Sequence, residues 1–177
     1  MDSNIEYEKK ISEYDWDSLL SLWERIEAGT TDKEGWMPGR AFEYLVLRAF
    51  QLDGAKIRWP YNVGKLEQID GVVYLEGLAF LIECKDQAES VNIEPMAKLR
   101  NQLSRRPTAT MGMVFSRSGF TESALMLEQK TSPQKILLWT GEEITYALRK
   151  RYMKRGLIEK YRHCIEDGIP DYYLKIK

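Results

Sequence analysis

The stretch that most constrains the fold is Gln68–Lys85, QIDGVVYLEGLAFLIECK. Two apolar runs flank Glu76-Gly77, and a two-residue gap containing Gly between such runs is the signature of a tight β-hairpin. A turn there sets Leu75 against Leu78 and Tyr74 against Ala79, and counting back places Asp70 opposite Glu83. Side chains alternate along a strand, so Asp70, Val72 and Tyr74 share one face, as do Ala79, Leu81, Glu83 and Lys85. Opposed Cβ atoms lie about 4.5–5.5 Å apart. Two carboxylates and an amine therefore gather on one patch of an otherwise apolar sheet.

Like charges directly opposed destabilise a sheet, and half-buried carboxylates resist ionising unless something positive compensates. A divalent cation between the two carboxylates removes the conflict, because hard cations take oxygen ligands. The alternative is a plain salt bridge at the sheet rim, Asp70–Lys85 or Glu83–Lys85.

Upstream, Pro38-Gly39 precedes a helix from Arg40 to about Leu52, RAFEYLVLRAFQL, ended near Asp53-Gly54. It is apolar on most sides and expected to be buried. Glu43 lies on the same face as Val46, Leu47 and Phe50, where a carboxylate is costly without a partner. It is either held by Arg40 or Arg48, or it is a third acidic group aimed at the Asp70/Glu83 patch.

The remaining elements follow from period and punctuation. Trp16, Leu19, Leu20, Trp23 and Ile26 recur at helical spacing after an N-cap at Asp15. Residues 1–35 thus read as a helical appendage packed on a main domain of residues 36–177. Ala55–Tyr61 is a short strand ended or edged by Pro60, and Asn62–Glu67 a polar connection. A helix with Pro95 in its first turn and Pro107 beyond its end carries Met96, Leu99 and Leu103 inward. Thr110–Ser116 and Lys135–Trp139 are buried strands. A helix from Phe120 to Lys130, with Thr121 as a cap, separates them. Thr140-x-x-Glu143 is a capping box that opens a basic helix to about Arg155. The expected fold class is α/β: a mixed central sheet with helices on both faces.

Composition excludes several functions. The single histidine, His163, argues against histidine-rich zinc enzymes and against a Ser-His-Asp triad. Cys84 alternates away from Glu83 and Lys85, so it reads as a buried thiol. No apolar run approaches a membrane span and the acidic N-terminus is no signal peptide, so a cytoplasmic location is expected. Residues 1–35 carry ten acidic against four basic residues, and residues 36–177 seventeen against twenty-two. The basic excess falls at Lys98, Arg100, Arg105 and Arg106, and again at Arg149, Lys150, Arg151, Lys154, Arg155, Lys160 and Arg162. Clusters of this kind suit a phosphate backbone, although charged helix faces are often simply solvated.

A Glu-bearing helix, a strand with Asp, a hairpin partner ending in Glu-x-Lys, then helix, strand, helix and strand together resemble the restriction-endonuclease-like PD-(D/E)xK nuclease superfamily. The resemblance covers roughly Gly39–Trp139. The motif stands here as Ile69-Asp70 and Glu83-Cys84-Lys85, with Ile69 in place of the usual proline. It implies a metal-dependent endonuclease acting on DNA. Asp70, Glu83 and the Cys84 backbone carbonyl would hold Mg²⁺, with Mn²⁺ as a substitute. Glu43 would reach the ion directly or through water, and Lys85 would orient or activate a bound water and stabilise developing charge. Backbone contacts are expected from Lys98, Arg100, Gln102, Arg105 and Arg106, and a homodimer or partner subunit for cutting both strands. Other readings are action on RNA or single strands, and a non-cleaving subunit that binds nucleic acid or a partner protein in a defence, repair or transposition complex.

Overall fold

A computed structural model describes residues 3–130 and 136–174. Two helices, α1 (Ser3–Ser12) and α2 (Trp16–Ala28), precede α3 (Arg40–Leu52). Five short strands follow: β1 (Lys56–Arg58), β2 (Tyr61–Val63), β3 (Glu67–Ile69), β4 (Val72–Leu75) and β5 (Leu78–Lys85). The rest alternates as α4 (Glu94–Leu103), β6 (Met111–Ser116), α5 (Glu122–Lys130), β7 (Ile136–Thr140), α6 (Gly141–Lys150) and α7 (Met153–Asp167).

The hairpin forms in the expected register, with Leu75 opposite Leu78 and Tyr74 opposite Ala79. Glu76 and Gly77 both take positive φ, 51° and 78°, as a type I′ turn requires. Among the described residues the main sheet runs β1-β4-β5-β6-β7. Its β1, β4 and β5 neighbours are antiparallel, and β5, β6 and β7 are parallel. The fold is therefore α/β with a mixed sheet.

Alternation along the strands divides the interior in two. Val73, Leu75, Phe80, Ile82, Cys84, Phe115 and Trp139 face a core shared with α3, α6, α7 and the N-terminal helices. Val72, Leu81, Val114 and Leu138 face a smaller core with Met96, Leu99 and Leu103 of α4 and Ala124 of α5. Helix α3 is central and buried along nearly its whole length. Leu19, Leu22, Trp23 and Ile26 of α2 join that same core. The Trp23 indole donates to Thr145 Oγ1 at 2.8 Å, tying α2 to α6.

Several expected elements are divided, each for a local reason. The strand before Pro60 breaks there, because proline has no N–H for a ladder. The strand carrying Asp70 breaks at Gly71, whose φ is 152°. A Cβ at Gly71 would lie 2.6 Å from Leu47 Cδ1 and 3.0 Å from the Arg58 carbonyl oxygen. Its upstream half, β3, pairs instead with β2 as a separate two-stranded ribbon. Residues 62–67, read as a connection, lie mostly within that ribbon. The basic C-terminal helix is also two helices: Arg151 takes a left-handed cap with φ 52° and ends α6. The capping box at Thr140 and Glu143 is present, as are the Asp15 cap and the Thr121 cap on the Ala124 N–H. Helix α1 gave too little signal, since Tyr7 and Ile11 are its buried apolar residues. Lys135, placed in a strand by its pattern, lies outside the described residues.

Gly71 combines a positive φ with a close approach to Leu47. We expect Gly71→Ala to lower unfolding free energy by about 1–3 kcal/mol in urea denaturation. An unchanged midpoint would show that the kink tolerates a side chain.

Candidate active site

The kink at Gly71 also places Asp70. The ladder between β4 and β5 ends at Val72–Leu81, and the Gly71 carbonyl accepts from the Ile82 N–H at 3.0 Å. Asp70 is thus not the ladder partner of Glu83 that counting back along an unbroken strand predicts. Its carboxylate Oδ2 instead accepts from the Cys84 backbone N–H at 2.9 Å, which keeps it beside the same end of β5. Asp70 is only 6% exposed.

Glu83, 1% exposed, receives two ammonium groups. Lys85 Nζ lies 2.7 Å from its Oε1, and Lys98 Nζ, from α4, lies 3.0 Å from both oxygens. Glu43, in the first turn of α3 and 8% exposed, accepts from Arg40 at 2.7 Å. With its amide oxygen turned inward, Gln68 accepts from both terminal nitrogens of Arg40 at 3.1 Å. Arg48, the other expected partner of Glu43, bonds the Tyr14 carbonyl and Gln51 instead. The Glu83–Lys85 and Glu43–Arg40 pairs of the salt-bridge reading are therefore both present. Asp70 differs: among the described residues it makes no ion pair.

The electrostatics follow this division. Burial, then the Glu83 charge, then the Glu43 charge push the Asp70 carboxyl up to about 8, against the Cys84 hydrogen bond and Lys98. Burial likewise raises Glu43, opposed by Arg40 and reinforced by Glu83. For Lys85, burial works against the charge, but the Glu83 hydrogen bond and the Glu83 and Asp70 charges outweigh it and hold the ammonium above the usual lysine range. The Cys84 thiol is pushed well up by burial and then by the three carboxylates. It is a core thiol with no nucleophilic character.

The expected phosphate contacts separate into two groups. Arg100 pairs with the fully buried Glu128 of α5. Gln102 is buried and donates to the Gln68 carbonyl at 3.1 Å, and Arg106 holds Glu67 of the β2–β3 ribbon at 2.8 Å. These three fasten α4 to its neighbours rather than face solvent. Lys98 and Arg105 remain about half exposed, at 49% and 51% of their side chains, although Arg105 also pairs with Glu67. In the second basic cluster, Lys160 is no phosphate ligand. It is fully buried on Glu143 and the Tyr172 carbonyl, each at 2.6 Å. Residues whose part was not read from sequence are Gln68 and Glu67. Both lie within three residues of Asp70 in the chain, but their partners lie on α3, on α4 and just past the end of α4.

A family model for the Mrr catalytic domain, described as a restriction endonuclease, matches residues 35–148. The chain belongs to this restriction endonuclease family. The matched span contains Glu43, Asp70, Glu83, Lys85 and Lys98, so the whole buried charge cluster lies within the restriction endonuclease domain. Among solved structures, AF1548, a protein of unknown function, is similar at 17% identity with a TM-score of 0.50. That match covers 72% of this chain and 77% of that one. The DNA modification-dependent restriction endonuclease AspBHI aligns at 16% identity and TM-score 0.47, covering 84% of this chain and 40% of its own. The MspJI restriction endonuclease, in complex with a 27-mer oligonucleotide, aligns at 17% and 0.45, covering 88% and 35%. This chain therefore spans well under half the length of those two enzymes. No curated protein matches the sequence. No helix among the described residues is long and apolar enough to cross a membrane.

Asp70 is the crowded carboxylate without a counter-ion. Asp70→Asn keeps an acceptor for the Cys84 N–H and removes the cost of burying an ionisable carboxyl there. We expect it to raise the stability of the protein in EDTA at neutral pH by roughly 1–2 kcal/mol, read from urea unfolding. A loss of stability would show that the carboxylate is structurally satisfied.

Proposed function

We propose that the protein is a metal-dependent endonuclease that hydrolyses phosphodiester bonds of DNA, with Mg²⁺ as the working ion and Mn²⁺ as a substitute. The observation that carries this reading is Asp70, buried between two other carboxylates and without an ion-pair partner. Arg40, Lys85 and Lys98 pair with Glu43 and Glu83 and none of them pairs with Asp70, and an all-oxygen donor set suits a hard divalent ion. Asp70, Glu83 and the Cys84 backbone carbonyl would hold it, with Glu43 reaching it through water. Among the described residues, no three His, Cys, Asp or Glu form a ready-made cage. Mg²⁺ needs none, since it binds one or two carboxylates and fills its shell with water and phosphate oxygens.

When bound, the ion would supply a Lewis acid for the scissile phosphate and acidify a coordinated water. The protein's own residues divide the remaining work. Lys85, held beside Glu83 at 2.7 Å, would orient or activate the attacking water and stabilise charge on the phosphate. Arg40 holds Glu43 at the opening of α3, aimed toward the same group. Lys98 and Arg105 present exposed charge for backbone phosphates. With one such site per chain, cutting both strands would call for a second copy or a partner subunit.

The test is cleavage of plasmid and single-stranded DNA with Mg²⁺ or Mn²⁺, beside EDTA and Asp70→Ala controls. Lys85→Ala should fold normally and lose about 10²–10⁴-fold in rate, and Glu43→Gln should lose less than Asp70→Ala. A folded protein that cuts neither substrate with either ion, or cuts equally well as Asp70→Ala, would overturn this reading.

A further inference from the structure

Glu83 is held in two different ways by its two lysines. Lys85 touches Oε1 alone, from two residues along the same strand. Lys98 sits 3.0 Å from both oxygens, the straddling position from which a cation binds a carboxylate through both atoms. Lys98 comes from a separate element, and half of its side chain is exposed. It shares with Lys85 an open cavity of about 410 Å³ between the end of β5 and the start of α4. The ammonium thus has room to leave Glu83 without any backbone movement.

The helix that carries it does not share this freedom. Arg100 pins α4 to Glu128 of α5 and Gln102 pins it to the Gln68 carbonyl, while Arg106, just past its end, holds Glu67. Motion is therefore confined to the four-carbon tether of Lys98.

We propose that Lys98 is an internal stand-in for the divalent cation. It competes with the incoming ion for Glu83, and once displaced it delivers its ammonium to the phosphodiester through the adjoining cavity. An ammonium on Glu83 acts on Asp70 only from a distance, without an ion pair, whereas one divalent ion would bind both carboxylates. That difference drives the exchange, and Lys98 links ion binding to phosphate capture. The proposal rests on the nuclease reading above and adds the residue that the ion must displace.

The experiment titrates Mg²⁺ against melting temperature, without nucleic acid, for the wild-type chain and for Lys98→Met, Lys98→Arg and Asp70→Asn. The melting temperature without Mg²⁺ reports any structural effect separately. In Lys98→Met the half-saturating Mg²⁺ concentration should fall about five- to tenfold, as expected for losing a half-exposed, charge-assisted competitor. Lys98→Arg keeps a cation on Glu83 and should leave the midpoint at or above wild type. Asp70→Asn should abolish the response. At saturating Mg²⁺, Lys98→Met should also cut DNA more slowly, because the displaced ammonium is missing. A Lys98→Met midpoint equal to or above wild type, with Asp70→Asn still unresponsive, overturns the competition and leaves the nuclease site standing. A wild-type chain that neither responds to Mg²⁺ nor cuts DNA removes both.

Discussion

Three carboxylates buried at one end of β5 are the constraint to which much of this structure answers. Each unpaired charge in such a place costs several kcal/mol on the scale of buried ions, so counter-charges must arrive from elsewhere in the fold. They come from three elements: Arg40 from α3, Lys85 from β5 itself and Lys98 from α4. That requirement fixes how α3 and α4 approach the sheet from opposite faces. The residues that brace α4, including Arg100, Gln102 and Arg106, serve the same end by holding Lys98 in reach.

Two other buried carboxylates show what a satisfied group looks like here. Glu143 accepts from Lys160 and from the backbone N–H groups of Thr140 and Leu174. In this way it closes the α6 cap, neutralises a buried lysine and anchors the C-terminal segment. Glu128 takes Arg100 and the Ile136 N–H. Asp70 has the Cys84 N–H and no cation. Burial alone does not distinguish these three carboxylates, since all are buried. The ion pairing around each does.

Much of this was legible in the chain itself. The spacing around Glu76-Gly77 specified the hairpin register, and the order of Glu43, Asp70, Glu83 and Lys85 pointed to the restriction-endonuclease-like fold that the family match supports. Caps at Asp15, Thr121 and Thr140 were readable because a cap is a contact between residues two or three apart. The basic residues were not readable in the same way. A run such as Lys98–Arg106 has one sequence pattern whether its charges face water, phosphate or a buried carboxylate. Arg100 finds Glu128 and Arg106 finds Glu67 only after distant segments meet.

Gly71 marks the boundary between the two kinds of information. The sequence alone determined that Asp70 and Glu83 would lie near one another, because hairpin pairing is local and alternation has a period of two. Whether the pairing continued through Gly71 depended on Leu47 and the Arg58 carbonyl, which crowd its α-carbon from another helix and strand. Tertiary structure decided that the strand would break there and that Asp70 would take the Cys84 N–H. It also decided that Asp70 would be left without the cation that Glu43 and Glu83 each acquire. Ion pairing in a folded chain is settled by three-dimensional proximity, and proximity between remote elements is not written in the order of residues.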